Sequence, residues 1–406
     1  MLLCFRVENH KSLRHEQRLL LTPVYDDARP ATADWQATTV AGIFGPNASG
    51  KSNLLDALLL MRDTVLRPAR DDEPGGGVRR HPFALSAECG AAPSAFVVDL
   101  MLSGVRYTYG FSVDDERVLE EWLYGYPKRR RRVLFERDGD EFEFGENSPS
   151  RLRQVRDVTG PDSLFLGVAA RASHTAVEPV SRWFSEGLVS VEEAGADLPE
   201  RLRGGRISRA QVAALGDLLS SSGTGVRSVE PGEGPAPEFL FHHGDHTSAR
   251  PLTWGESSKG TRALAALGHE AQRVIENGGT LLVDGIDADL HPHLSAKVIS
   301  LFQDERSNPR GAQILFAGHD AALLGHVRGE EVLKRDHVWF TEKDGQGRTS
   351  LHPLSDFKPR GDENRARRYL TGRYGSVPDV DDELFRAALG GGARCGAGHG
   401  HGGGDS

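Results

Sequence analysis

The sequence predicts an α/β protein, with a mixed β-sheet head interrupted by an inserted region of strands followed by helices. Three observations carry that prediction. Short apolar runs at 38–44, 280–283 and 313–317 alternate with helical stripes, the pattern of parallel strands joined by crossover helices. A glycine-bounded loop, Gly45 to Gly50, separates the first of these runs from an apolar helix. Between them, residues 95–145 carry strand-like runs separated by turns.

The elements follow in order. Leu3, Phe5 and Val7 alternate with Cys4, Arg6 and Glu8, a period-two strand, and Leu19-Leu20-Leu21-Thr22 reads as its hairpin partner, stopped by Pro23. Thr38 to Phe44 reads as a short buried strand. Asn53 to Leu66 carries Leu54, Leu55, Leu58, Leu59 and Met61, a helical stripe. Asp71 to Gly77 reads as an exposed loop, 149–220 as mostly helical, and Val229 to Pro237 as another loop because it is rich in Pro, Gly and Glu. Strands return at Phe239-Leu240-Phe241, Thr280 to Val283 and Gln313 to Ala317. The expected domains are therefore 1–66 and 239–380 as two parts of one head, 67–238 as an inserted arm, and 381–406 as a disordered Gly/His tail.

Composition bounds the function classes. With 406 residues, 38% hydrophobic and 26% charged, the chain is long enough for two or three domains of ordinary globular make-up. Lys+Arg 49 against Asp+Glu 58 gives −9, which excludes a globally basic nucleic-acid coat. No run approaches the ~20 apolar residues of a membrane helix, and Arg6 and Glu8 come too early for a signal peptide. Cys4, Cys89 and Cys395 are distant and odd in number, so neither a disulfide framework nor a CxxC metal site is implied; a cytoplasmic location is expected.

Gly45-Pro46-Asn47-Ala48-Ser49-Gly50-Lys51-Ser52 fits G-x-x-x-x-G-K-[ST] at every fixed position, with a strand before and a helix, opening at Asn53, after. The alternative, a glycine-rich turn matching by accident, lacks that context. The glycines let backbone N–H groups turn toward phosphate oxygens, and the helix adds its positive end. Lys51 is expected on the β/γ-phosphates and the Ser52 hydroxyl on Mg²⁺. Thr280-Leu281-Leu282-Val283-Asp284 is an apolar strand ending in a carboxylate, placing Asp284 opposite Ser52 as a second metal ligand. ATP and Mg²⁺ are the expected cofactors.

Three further segments identify a branch. Ser257-Ser258-Lys259-Gly260-Thr261, with Ser258 26 residues before Asp284, resembles the signature loop of ABC-type ATPases. Asp287-Ala288-Asp289-Leu290-His291-Pro292 resembles their D-loop, and Gly318-His319-Asp320 their switch-histidine loop. The chain therefore resembles ABC-type ATPases of the SMC/RecF/OLD kind, whose head opens on a pattern seen here as Phe5-Arg6-Val7-Glu8-Asn9-His10-Lys11-Ser12-Leu13. Glu256 to Arg262, Trp339 to Asp344 and Tyr369 to Pro378 narrow the resemblance to RloA/AbiLi-type ATP-binding proteins of restriction and abortive-infection loci. The resemblance implies an ABC-type P-loop NTPase head and an ATP-sandwich homodimer, in which Ser258, Lys259, Gly260 and Thr261 face the partner's nucleotide. It also implies a role in bacterial anti-phage defence beside a second, RloB-type effector.

One departure bears on catalysis. The ABC pattern places Glu directly after the Asp, and here Gly285 stands there. Losing a water-activating group typically costs about 10²–10⁴-fold. Asp287 and His319 are the candidate replacements, and slow turnover is expected. Restoring a carboxylate by Gly285→Glu would raise the rate by about tenfold or more, unless Gly285 holds a positive φ. No Q-loop glutamine stands near Phe83-Ala84-Leu85-Ser86. The competing readings are an ATP-locked scaffold that scarcely hydrolyses and a RecF-like DNA-binding repair ATPase; residues 66–256 show no sustained heptads for the latter.

Other clusters are less specific. Lys128-Arg129-Arg130-Arg131-Arg132 is either a nucleic-acid patch or a solvated hairpin tip before Val133-Leu134-Phe135. His242-His243-Gly244-Asp245-His246 crowds ligand-type residues on a tight turn that would splay them, so a hairpin explains it better than zinc. His399 and His401 belong to the tail. No G-x-S-x-G elbow or G-x-G-x-x-G follows a strand, and the 87 residues after His319 are too few for an attached Toprim nuclease.

Overall fold

The computed structural model describes residues 1–25, 37–67, 77–146, 148–172, 174–192, 198–234, 237–244, 250–359, 363–377 and 381–389. Among them, two large sheets carry the fold. The first is antiparallel: β1 (Leu2–Glu8) lies between β2 (Gln17–Leu20) and β4 (Ser94–Leu102), and β5 (Val105–Val113), β6 (Val118–Tyr126), β7 (Arg132–Asp138) and β8 (Glu141–Phe144) follow as a meander. The strands of 95–145 thus continue the sheet of the N-terminal hairpin, and the domain boundary expected after residue 66 crosses this sheet.

The second sheet is mixed. Its core is parallel, in the order β17 (Val338–Lys343), β3 (Val40–Phe44), β14 (Gln313–Gly318), β13 (Thr280–Asp284) and β9 (Leu188–Ser190), with β18 (Thr349–Pro353) antiparallel on β17. These strands read as apolar runs because both faces are covered. Leu282, Leu315, Ala317 and Trp339 join the core shared with the first sheet and α1 (Lys51–Leu66). Their neighbours Leu281, Val283, Ile314, Phe316 and Phe340 point the other way, into a second core. That core is closed by Val274 of α3 (Lys259–Asn277) and by Val298 and Phe302 of α4 (Pro292–Gln303).

A third cluster packs α2 (Arg209–Ser221), the hairpin β10 (Val226–Pro231) and β11 (Phe239–His243), and the first half of α3; β12 (Leu252–Thr253) completes this small sheet. The loop expected at Val229 to Pro237 is therefore in part a strand: Val226 and Val229 are buried and β10 pairs with β11. β9 likewise interrupts the mostly helical stretch of 149–220, because Leu188 and Val189 cover the edge of β13. The last strands are a small hairpin, β15 (His326–Val327) with β16 (Glu330–Glu331). Of the expected disordered tail, Asp382–Leu389 forms a helix with no buried residue, while 390–406, with His399, His401 and Cys395, lie outside the described residues.

Candidate nucleotide site

The phosphate loop joins β3 to α1 at the carboxyl ends of the parallel strands, where ligands of open α/β sheets bind. Ala48 (φ 63) and Gly50 (φ 103) are both left-handed, which turns successive N–H groups of the loop into an anion-binding concavity. A β-carbon at Gly50 would lie 2.3 Å from Thr349 Oγ1 and 2.8 Å from Ser12 Oγ, so only glycine fits. The loop is held from behind. Ser49 Oγ hydrogen-bonds Thr341 Oγ1 (2.6 Å), Thr349 Oγ1 donates to the Ser49 carbonyl (2.7 Å), and Asn53 Nδ2 donates to Ser12 Oγ (2.6 Å). Gly45, Ser49 and Gly50 are buried, Pro46 is half-buried, and Asn47 and Ala48 are exposed at the tip.

Lys51 Nζ donates to the Gly45 (2.8 Å) and Pro46 (2.9 Å) carbonyls, which places its ammonium over the loop. Burial pulls its pKa below the ordinary lysine value, while the fields of Asp284 and Asp287 push it back up. Asp284 is exposed at the end of β13, Ser52 is exposed at the start of α1, and Asp284 lies close enough to act on the Lys51 charge. A hydroxyl and a carboxylate beside a phosphate concavity are the oxygen donors that Mg²⁺ takes, so Ser52 and Asp284 fit the ion.

Gly285 has φ 74, the left-handed region. Its N–H donates to the Ala317 carbonyl (3.0 Å), turning the chain sharply after Asp284. Asp287 folds back under the loop after β14. Its Oδ2 accepts from the His319 N–H (2.8 Å) and the Asp320 N–H (2.6 Å). Its Oδ1 is buried without a hydrogen-bond partner, 3.6 Å from His319 Nδ1. The Asp287 side chain is 2% exposed and that of His319 59%.

Ser258 caps α3, its Oγ accepting from the Thr261 N–H (3.1 Å). The preceding turn is fixed by Glu256, whose carboxyl Arg250 and Thr253 hold down at about 2, and by Trp254 packed on Phe239 and Phe241. A β-carbon on Gly260 would come 3.0 Å from the Asp289 carbonyl, so the 257–261 loop lies directly against the 287–292 loop. Between them, Lys259, Arg262, Asp284, Gly285 and Glu192 line a cavity of about 480 Å³. Ser258 and Lys259 are exposed, Gly260 is half-buried and Thr261 is buried.

Several supporting residues escaped the sequence reading. Ser12, in the turn after β1, and Thr341 and Thr349, on β17 and β18, buttress the loop, yet isolated hydroxyls in turns and strands carry no distinctive signal. Glu192 accepts from the Asp284 N–H (2.8 Å) from beyond β9. Tyr369, stacked on Phe340, has its hydroxyl hydrogen-bonded to the Gly45 backbone; burial raises its pKa. It opens the Tyr369 to Pro378 segment, whose sequence marks the family resemblance but carries no signal of this contact.

Other candidate sites stand apart. Lys128 to Arg132 form the exposed tip between β6 and β7, with Lys128 (φ 55) and Arg129 (φ 63) left-handed and Arg131 stacked over Tyr124 and paired with Glu136. His242 and His243 are adjacent on β11 and so point to opposite faces of it; Asp245 and His246 lie outside the described residues. No group of three metal-ligating side chains converges among the described residues, and none of their helices is long and apolar enough to cross a membrane.

The chain is similar in structure to the SMC head domain from Thermotoga maritima, at 14% identity and TM-score 0.40 over 87% of this chain and 98% of that one. It is also similar to an Smc head domain with an extended coiled coil, bound to the C-terminal domain of ScpA and derived from Pyrococcus furiosus, at 13% identity and TM-score 0.44 over 88% and 97%. No curated protein matches the sequence. Residues 40–325, more than half of the chain and the span from β3 through the loop after β14, match the family model described as "AAA domain, putative AbiEii toxin, Type IV TA system", and the chain belongs to that AAA family of P-loop ATPases.

Proposed function

We propose that this protein is an ABC-type ATPase subunit that binds Mg-ATP, closes as a homodimer around two nucleotides, and in that state controls a partner effector in anti-phage defence. The observation that carries the reading is the phosphate concavity of Ala48 and Gly50 with Lys51 above it and Asp284 beside it. In the proposed closed state, loop N–H groups and Lys51 hold the β/γ-phosphates, while Ser52 and Asp284 hold the metal. Mg²⁺ supplies neutralisation of the charge that develops on the transferred phosphoryl group. The Ser258 loop of the partner adds the positive end of α3 to the γ-phosphate. His319 and Asp287 stand where a carboxylate at 285 is missing, and slow turnover follows from that loss.

A second reading, an ATP-locked scaffold, is favoured by Gly285, which carries no water-orienting side chain and whose left-handed φ strains any residue that would supply one. The family resemblance suggests an RloB-type protein as the effector. The exposed Lys128 to Arg132 tip is the place for nucleic-acid phosphate, if the trigger is one.

Lys51→Ala tests the nucleotide site. A charge-assisted contact to phosphate has no substitute in this loop, so calorimetry is expected to show ATP affinity reduced by about 10-fold or more, the worth of one charged hydrogen bond. Unchanged affinity would overturn the assignment.

A further inference from the structure

We propose that Asp287 and His319 form an Asp–His pair in which Asp287 positions the imidazole and His319 Nε2 accepts the proton of the attacking water. The inference deepens the nucleotide-site reading and rests on it. Four observations support it. Asp287 is fixed rather than mobile, since one oxygen takes two backbone N–H groups of the very loop that carries His319. Its other oxygen is buried and unpartnered, and the nearest ring nitrogen of His319 is 3.6 Å away. A small rotation of the exposed imidazole closes that gap, and catalytic hydrogen bonds are often this loose before substrate binds. Both carboxylates near the loop, Asp284 and Asp287, act on Lys51, so Asp287 lies beside the phosphate concavity and not at a remote surface. Finally, a β-carbon on Gly318 would come 3.2 Å from Asp287 Oδ2, so the glycine before His319 permits the close approach.

The chemistry balances without a further reactant. With Nδ1–H aimed at Asp287, the ring is in the tautomer whose Nε2 carries a lone pair. The water oxygen bonds to the γ-phosphorus as the bond from that phosphorus to the β–γ bridging oxygen breaks, and ADP leaves with the electron pair. The water proton passes to Nε2 and then to solvent or the phosphate product. Asp287 accepts the Nδ1–H and stabilises the imidazolium without touching the reacting atoms, so it is a positioning residue, and His319 is the catalytic one.

The test is steady-state ATP turnover of the full chain and of two variants, with ATP binding measured separately. His319→Ala is expected to lower kcat by about 10²-fold, the usual worth of a general base, with KM little changed and part of the rate recovered by added imidazole. Asp287→Asn keeps an amide oxygen for both backbone N–H groups and so keeps the loop. Its NH₂ group instead demands the opposite ring tautomer, so kcat is expected to fall by about tenfold or more, with ATP affinity retained and no rescue by imidazole. A variant pair that binds ATP and turns over like the parent overturns the pair. So does a His319→Ala loss that imidazole leaves untouched, or a parent that binds ATP and never hydrolyses it. Failure of the parent to bind ATP would instead remove the nucleotide site itself.

Discussion

Gly285 decides what a carboxylate at that position can do. An L-residue in the left-handed region costs about 1–2 kcal/mol, and Gly285 sits at φ 74 with an N–H tied to Ala317. Its β-carbon direction faces Ala288 at 3.4 Å. The rate gain expected from sequence for Gly285→Glu is therefore reversed. The variant is expected to lower the urea midpoint by an amount equal to about 1–2 kcal/mol and to leave ATP turnover no faster; a tenfold faster variant of unchanged stability would contradict this. A second residue sets a pH limit. Burial, reinforced by Lys334 and Arg365, pulls His337 down to about 3, and its Nδ1 accepts from the Lys334 N–H. The folded protein keeps this ring neutral, while the unfolded chain protonates it below its ordinary value of 6.5. Stability is thus fully present above about 6.5 and is lost as pH falls toward 3, by up to about 1.4 kcal/mol per pH unit. His337→Asn retains an acceptor for Lys334 and should flatten that part of the unfolding free energy against pH, measured beside the parent.

At the scale of elements, one side chain ties the two sheets together. Gln313, fully buried at the start of β14, accepts from the Leu2 N–H (2.6 Å) and donates to the Leu2 (2.9 Å) and Thr38 (3.0 Å) carbonyls. Gln313→Leu fills the same space but orphans these groups, each worth about 1–3 kcal/mol when buried unpaired. A loss of at least about 3 kcal/mol is expected from denaturant unfolding. Where the variant is still folded, ATP affinity should be near normal, because Gln313 and Gly318 stand at opposite ends of a six-residue strand, about 17 Å apart. The same bond explains what the sequence leaves unread. β3, β13, β14 and α1 were legible because their signals are local: an apolar run, a glycine loop, a stripe of leucines. Which strands pair was not, since β1 meets β4 across some ninety residues and nothing in either run names the other. β9 was missed because it is three residues long and acquires its strand character from β13 beside it. β10 was hidden by Pro231 and Gly232, and by a bulge between Val226 and Ser228 that leaves its buried Val226 and Val229 three residues apart instead of two. The candidate nucleotide-site residues were legible as motifs; the hydroxyls of Thr341 and Thr349 that shape the loop emerge only when β17 and β18 are brought behind it, and that of Ser12 only when the turn after β1 meets the start of α1.

For the whole molecule, the proposed switch depends on a surface that a single chain leaves open. Ser258 and Lys259 are exposed at the start of a 19-residue helix, Ser258 caps that helix and Gly260 lies close to the Asp289 carbonyl, so the 257–261 loop presents a preset face rather than a pliable one. ATP held by Lys51, Ser52 and Asp284 would put its γ-phosphate against that face in a second copy, with the loop's own N–H groups and hydroxyl as the contact. ATP should therefore convert monomer to dimer, read as a doubling of mass by light scattering, and Ser258→Arg should abolish the conversion by filling the approach. That variant also removes the helix cap, worth about 1 kcal/mol, so a frayed α3 would give the same loss of the dimer. Ser258→Asp separates the two effects. Aspartate caps as well as serine, so α3 and the thermal midpoint should be preserved, yet its charge meets the γ-phosphate of the partner's nucleotide. The expected result is a stable monomer that still binds ATP and fails to dimerise. A dimer that forms with undiminished ATP dependence in both variants would place the intersubunit contact elsewhere on the molecule.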